Sequence, residues 1–232
     1  MDDTFLRLKL LLGDDIEKIK NKKVLIIGLG GVGGYTVEAL ARLGVNSFIL
    51  IDGDIVEKTN INRQIIATNK TIGYKKTEAW KERILDINPS CNIDIISNFI
   101  TLDNINLLFD KKFDYLVDAC DTVSIKKEII RRCTKKDIPF ITSMGMGNKL
   151  DPSKIEIIEL SKTSYDPIAK TLRKMVKDER INKKVMTVCS SEAPKKVKGG
   201  TVSSNAVVPA VAGLLMADYI FKLMLKERFY ES

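Results

Sequence analysis

The residues best suited to chemistry lie between positions 24 and 64. Gly28, Gly30 and Gly33 stand at GxGxxG spacing, with Gly31 between them. Glycines so spaced let a backbone approach a phosphate, and the free N–H groups and dipole of a following helix attract it. Asp52 comes about twenty residues later, where a carboxylate accepts from ribose hydroxyls. A polar run, DGDIVEKTNINRQ, carries Asp54, Asn60, Arg63 and Gln64. Lys76 opens a further amphipathic segment. Asp118 and Asp121 then stand three apart in VDACD, and two carboxylates brought together call for a cation such as Mg²⁺. A plainer alternative is that Asp121 or Thr122 caps a helix over 123–135.

Other chemistries are restricted by composition. The chain has no histidine, which excludes a histidine-dependent triad. A general acid or base must be Asp, Glu, Lys, Tyr, Cys or water. Cys91, Cys120, Cys133 and Cys189 form no CxxC pair, so neither a zinc ribbon nor a disulfide framework is expected. Cys189, in TVCSSEAP, reads as a small buried residue, with a nucleophilic thiolate as the sharper alternative.

The elements that must position these groups follow from patterning. Val24–Ile27 and Phe48–Ile51 are continuous apolar runs, the mark of strands buried on both faces. An amphipathic helix with Val37, Leu40 and Ala41 follows the glycines. The loop after Asp52 falls at the C-terminal edge of the sheet, where α/β proteins bind ligands. A helix is predicted over 76–87, stopping before Pro89, with strands at 93–96, 115–117, 139–142 and 155–160. Alternating strands and helices predict a Rossmann-like, doubly wound, mostly parallel α/β sheet with helices on both faces. Residues 1–232 are read as one domain. Within it, 1–20 form an N-terminal helical segment broken by Gly13, and 161–232 a C-terminal extension. The extension holds a basic helix (Lys170, Arg173, Lys174, Lys177), a short strand at 185–189 and a lysine-dense loop at 194–200.

The 232 residues suffice for a substantial core, and the net charge of +8 suits a nucleic-acid partner as well as a lysine-rich proteome. Met1-Asp2-Asp3 is acidic where a secretory signal is basic. The apolar run at 206–217 is too short for a stable membrane span and reads as a core or dimer-interface helix. These features predict a cytoplasmic protein.

Taken together, GxGGxG, IDGDIVEKTNINRQ, Gly73-Tyr74-Lys75-Lys76 and VDACD resemble the adenylating domain shared by ubiquitin-activating enzymes and the bacterial activators of sulfur-carrier proteins. The resemblance covers roughly residues 5–160. It implies that ATP activates a carboxylate as an acyl-adenylate. The glycine loop would hold phosphate, and Asp52 the ribose. Asn60, Arg63 and Lys76 match positions that contact the triphosphate, and Gln64 closes the same motif. Asp121 matches a magnesium ligand, with Asp54 a secondary candidate. Arg7 matches an arginine that reaches the phosphates of a neighbouring subunit, which implies a homodimer.

TNINRQ, ILDINPSC, KTSYDPIAKTLR and VCSSEAP are similar to the tRNA threonylcarbamoyladenosine dehydratase branch of that family. The reaction implied is ATP-dependent cyclisation of a threonylcarbamoyl group on tRNA, with no catalytic cysteine. The chain departs from longer members at 194–200, and Thr201-Val202-Ser203-Ser204-Asn205 replaces their later cysteine-containing stretch. The competing reading is an activator of a ubiquitin-like sulfur carrier, which shares every ATP residue and leaves open a sulfur-transfer protein partner. An NAD-dependent oxidoreductase, suggested by GxGxxG alone, leaves Asn60, Arg63, Lys76 and Asp121 unexplained.

Overall fold

The computed structural model describes residues 4–197 and 202–225. The apolar runs become strands β1 (Lys23–Ile27), β2 (Ser47–Ile51), β3 (Asn92–Ile96), β4 (Tyr115–Asp118), β5 (Phe140–Ser143), β6 (Ile155–Glu159) and β7 (Met186–Ser190). They form one sheet in the order β3-β2-β1-β4-β5-β7-β6. Every pairing is parallel except β6 with β7 at the edge. The expected Rossmann-like α/β sheet is therefore present. The order reverses between β1 and β4, the switch point at which such sheets open a ligand crevice.

Side-chain alternation divides the core between two faces. Val24 and Ile26 of β1 pack on one face with α2 (Ile16–Lys20), α3 (Gly33–Arg42), α4 (Lys76–Ile87) and α8 (Val207–Leu225). Leu25 and Ile27 pack on the other with α5 (Asn106–Phe109), α6 (Val123–Lys136) and α7 (Pro167–Asp178). The region from 161 onward is integral to this plan. It supplies β7, which lies between β5 and β6, and α8, which packs across α3. The close crossing requires Gly213, where an added Cβ would lie 2.3 Å from the Val32 carbonyl oxygen.

The apolar run read at 206–217 is only the first part of α8, which continues to Leu225 across an Asp218–Lys222 ion pair at 2.9 Å. By length and composition the helix could cross a membrane. Here Val208, Ala212, Met216, Ile220 and Met224 face the core instead.

Gly13, at φ +58, breaks the N-terminal helix as expected, separating α1 (Leu6–Leu12) from the turn before α2. Ile16 and Ile19 of α2 are buried, whereas α1 buries none of its residues and leaves Leu10 and Leu11 each 78% exposed.

Candidate active site

A cavity of about 820 Å³ lies over the C-terminal edge of the sheet. It collects Gly28, Gly30, Gly31, Asp52, Asp54, Asn60, Arg63, Gln64, Lys76 and Asp121, so ten of the sequence-predicted residues line one cavity. Gly33 and Arg7 do not line it. Gly33 serves packing, since a Cβ there would come within 1.8 Å of the Gly28 carbonyl oxygen. Arg7 is exposed on α1.

The glycine turn is shaped by its neighbours. Gly28 adopts φ +84, and a Cβ on it would meet the Ala119 carbonyl oxygen at 2.6 Å. The loops leaving β1 and β4 thus touch. Gly30 differs: an added Cβ would approach nothing nearer than Gln64 Nε2 at 3.7 Å. Its openness leaves room for a ligand. Asp52 holds the turn in place, Oδ2 accepting from the Leu29 N–H at 2.7 Å and Oδ1 from the Asp54 N–H at 2.8 Å. Burial raises its pKa, opposed chiefly by the charge of Lys76.

Lys76 is delivered by a short backbone pairing between Ile55 and Lys75. Its N–H donates to the Asp54 carbonyl at 3.0 Å, and its buried ammonium meets Asp54 Oδ2 at 2.6 Å. Asp54 therefore orients a cation in the cavity wall. Asn60 Oδ1 caps a turn by accepting from the Glu57 N–H at 3.2 Å. The Asn60 carbonyl in turn accepts from the N–H groups of Arg63 at 3.1 Å and Gln64 at 2.9 Å. The segment from Asn60 to Gln64 is thus one turn that brings Asn60, Arg63 and Gln64 to the cavity. Arg63 Nη1 donates to the Thr59 carbonyl and to Asn62 Oδ1, both at 2.8 Å. The buried Gln64 Oε1 has no hydrogen-bond partner among the described residues.

VDACD requires a correction. The two aspartates do not converge on one cation. Asp118 is fully buried and already holds one: Lys126 Nζ lies 3.1 Å from Oδ2, and Thr142 Oγ1 donates to the same oxygen at 2.6 Å. Asp121 alone is exposed to the cavity. The helix-cap alternative holds in position only: Thr122 is the N-cap residue of α6, but its hydroxyl makes no capping bond and donates instead to Asp121 Oδ1 at 3.4 Å. No cluster of three or more Cys, Asp or Glu suited to a metal occurs among the described residues. The remaining donor set still suits Mg²⁺ carried in with a nucleotide, because that ion keeps waters and phosphate oxygens and needs only one or two carboxylates.

The other half of the cavity is formed by the loop after β5 (Met144–Lys149), by Tyr165–Ile168 and by Val202 and Ser204. Asp166, buried, accepts from the Gly145 N–H at 2.9 Å and caps α7 through the Ala169 N–H at 2.8 Å. Arg173, grouped with the basic face of α7, is committed to the Thr163 carbonyl at 2.9 Å, whereas Lys170, Lys174 and Lys177 are exposed. Lys195 and Lys196 are exposed, and the Lys195 N–H donates to the Asn148 carbonyl at 2.7 Å, tying that segment to the cavity rim. Residues 198–201 of the expected lysine-dense loop and its continuation lie outside the described residues.

The thiols are unsuited to nucleophilic work. Burial pushes Cys189 up to about 11 and Cys91 and Cys133 up to about 12, and it raises Cys120 well above the ordinary thiol value.

Sequence reasoning missed Lys126. Its signal was present, because Lys126 falls with Ile129, Ile130 and Cys133 on one helical stripe, and a lysine on an apolar stripe needs a buried partner.

A switch-point crevice with a phosphate-type glycine turn, paired cations and one free carboxylate defines a nucleotide-dependent adenylating protein. The ThiF family profile matches residues 4–231, and the chain belongs to that family. The chain is 40% identical over 241 residues to the tRNA threonylcarbamoyladenosine dehydratase of Bacillus subtilis, covering 96% of this chain and 95% of that one. The crystal structure of the Escherichia coli tRNA N6-threonylcarbamoyladenosine dehydratase in complex with AMP superposes with a TM-score of 0.90 at 33% identity, covering 97% and 95% of the two chains. The same enzyme in complex with ATP gives the same TM-score over 99% and 97%. The molybdopterin-synthase adenylyltransferase of Haemophilus influenzae is 30% identical over 169 residues, covering 73% of this chain and 66% of that one.

Proposed function

We propose that the chain is an ATP-dependent tRNA threonylcarbamoyladenosine dehydratase. One observation carries the reading: the 40% identity to such an enzyme extends over 96% of the chain, so it includes both halves of the cavity. ATP fits the residues present. The glycine turn offers N–H groups and an open face at Gly30. Arg63 and Lys76 offer cations, and Gln64 Oε1 offers a buried acceptor with no donor among the described residues.

In this reaction an oxygen of the threonyl carboxylate attacks the α-phosphorus of ATP, and the bond to pyrophosphate breaks. Arg63 and Lys76 stabilise the charge that builds on the phosphoryl oxygens. Asp121 is the residue that would hold Mg²⁺, whose role is to neutralise phosphate charge. A nitrogen of the modification then attacks the acyl carbon, AMP leaves, and the nitrogen's proton passes to solvent. The nucleophile belongs to the substrate, consistent with four thiols that favour the protonated form. Cys189→Ala is therefore expected to retain ATP-dependent turnover. Loss of AMP release in a folded Cys189→Ala protein would bring the thiol into the reaction.

The tRNA is the partner that the positive charge of +8 and the exposed Lys170, Lys174, Lys195 and Lys196 suit. The uncovered Leu10 and Leu11 of α1 suit a homodimer, the form in which Arg7 would reach the phosphates of a second copy. Free thiols and a tRNA substrate suit the cytoplasm.

The carrier-activating alternative is separated by exchange of labelled pyrophosphate into ATP. Exchange is expected with tRNA carrying threonylcarbamoyladenosine. Exchange that appears only with a ubiquitin-like carrier ending in Gly-Gly would reverse the assignment.

A further inference from the structure

Three lysines are buried among the described residues: Lys76, Lys126 and Lys149. Two have carboxylate partners, Asp54 at 2.6 Å and Asp118 at 3.1 Å. Lys149, 3% exposed, has none among the described residues; there its Nζ donates only to the Ser190 carbonyl at 3.3 Å. An ammonium carries three donors, so two are left without acceptors among the described residues. Burying a charge in that state opposes folding. Such a residue is retained most readily where an anion completes it.

Its surroundings fix the group in place. The Lys149 carbonyl accepts from Asn205 Nδ2 at 2.9 Å, and Asn205 also caps α8 through the Val207 and Val208 N–H groups. On the other side Glu192 accepts from the Leu150 N–H at 3.0 Å and the Asp151 N–H at 2.9 Å. Ser190 ends β7, the neighbour of β5, so Lys149 is held at the C-terminal edge of the sheet, on the far side of β4 from the glycine turn. It lines the same cavity. Asp166, the buried carboxylate of that half, is occupied by the Gly145 and Ala169 N–H groups and is not in ion-pair contact with Lys149. A cation with no counter-ion among the described residues thus stands at one pole of the cavity, and the ATP-type residues stand at the other.

We infer that Lys149 is a specificity-determining residue that holds one oxygen of the substrate's carboxylate while the other attacks the α-phosphate. This rests on the carboxylate-adenylating function proposed above. The group recognised is an aliphatic carboxylate on a modified nucleoside. Lys149 would select it over neutral isosteres before adenylation, which removes its charge.

The test uses Lys149→Met in the full chain. With ATP and tRNA carrying threonylcarbamoyladenosine, KM for tRNA should rise roughly 10- to 100-fold, the worth of one charge-assisted hydrogen bond. ATP affinity should be unchanged, and Tm should not fall, because an uncompensated buried charge has been removed. Calorimetric titration supplies a second readout. Wild-type protein should bind threonylcarbamoyladenosine more tightly than its carboxamide analogue, and Lys149→Met should bind the two alike. An unchanged KM with discrimination intact would overturn the inference and leave the function standing. A lower Tm with ATP and tRNA affinity falling together would show a structural role and overturn it as well. Wild-type protein that consumes ATP yet neither binds the nucleoside nor alters the tRNA would overturn the function itself.

Discussion

Arg63→Ala is expected to lower AMP formation by roughly 10²–10³-fold, the effect of deleting one donor aimed at developing charge, with the fold intact. The geometry separates the two effects. The guanidinium donates to the Thr59 carbonyl and to Asn62 Oδ1, both in an exposed turn that water re-solvates after truncation. Surface changes of this kind alter stability by about 0.5 kcal/mol or less. What alanine removes is a cation on the cavity wall, on the same turn as Gln64. Asp121→Ala should behave alike, since its exposed carboxylate supports no buried network. Quenched AMP assays beside thermal melts check both. A collapse in Tm with either variant would assign that residue to structure.

Lys126→Ala should do the reverse and act through the fold. It leaves Asp118, with no exposed surface, holding a charge opposite neutral donors, Thr142 Oγ1 and the N–H and thiol of Cys120. Breaking a buried pair from one side costs about 3–5 kcal/mol. The damage would spread to the nucleotide pole, because the Ala119–Cys120 turn abuts Gly28 and Gly33. Adding Asp118→Asn to Lys126→Ala should recover much of the loss, because the orphaned charge goes with it. Denaturant melts of the single and double variants measure this. A Lys126→Ala protein as stable as wild type would contradict a structural role for the buried pair.

The difference between these two residues marks what the sequence made legible. The buried strands, the glycine turn and the 76–87 helix were readable because each rests on a local pattern: an apolar run, a spacing, a proline stop. The INRQ residues were readable as a motif, and the structure adds why they act together, since the Asn60 carbonyl organises both Arg63 and Gln64. The Asp118–Lys126 pair was not readable from VDACD, because the cation that satisfies the first aspartate arrives on the following helix. The antiparallel β6 at the sheet edge and the insertion of β7 beside β5 are tertiary pairings with no local signature. Lys149 lies in a loop without periodicity, so its burial emerges only when Asn205 and Glu192 close around it. Arg7 stays outside the cavity of its own chain, and its assignment depends on a second copy.

The central claim is that this cavity uses ATP to activate a carboxylate on modified tRNA so that it closes into a ring. The most direct measurement is the mass of the nucleoside recovered after incubating the protein with ATP, Mg²⁺ and tRNA carrying threonylcarbamoyladenosine. The account predicts loss of one water from that nucleoside, with one AMP released per ring closed, and neither change without ATP. A nucleoside of unchanged mass under conditions where AMP accumulates would contradict it.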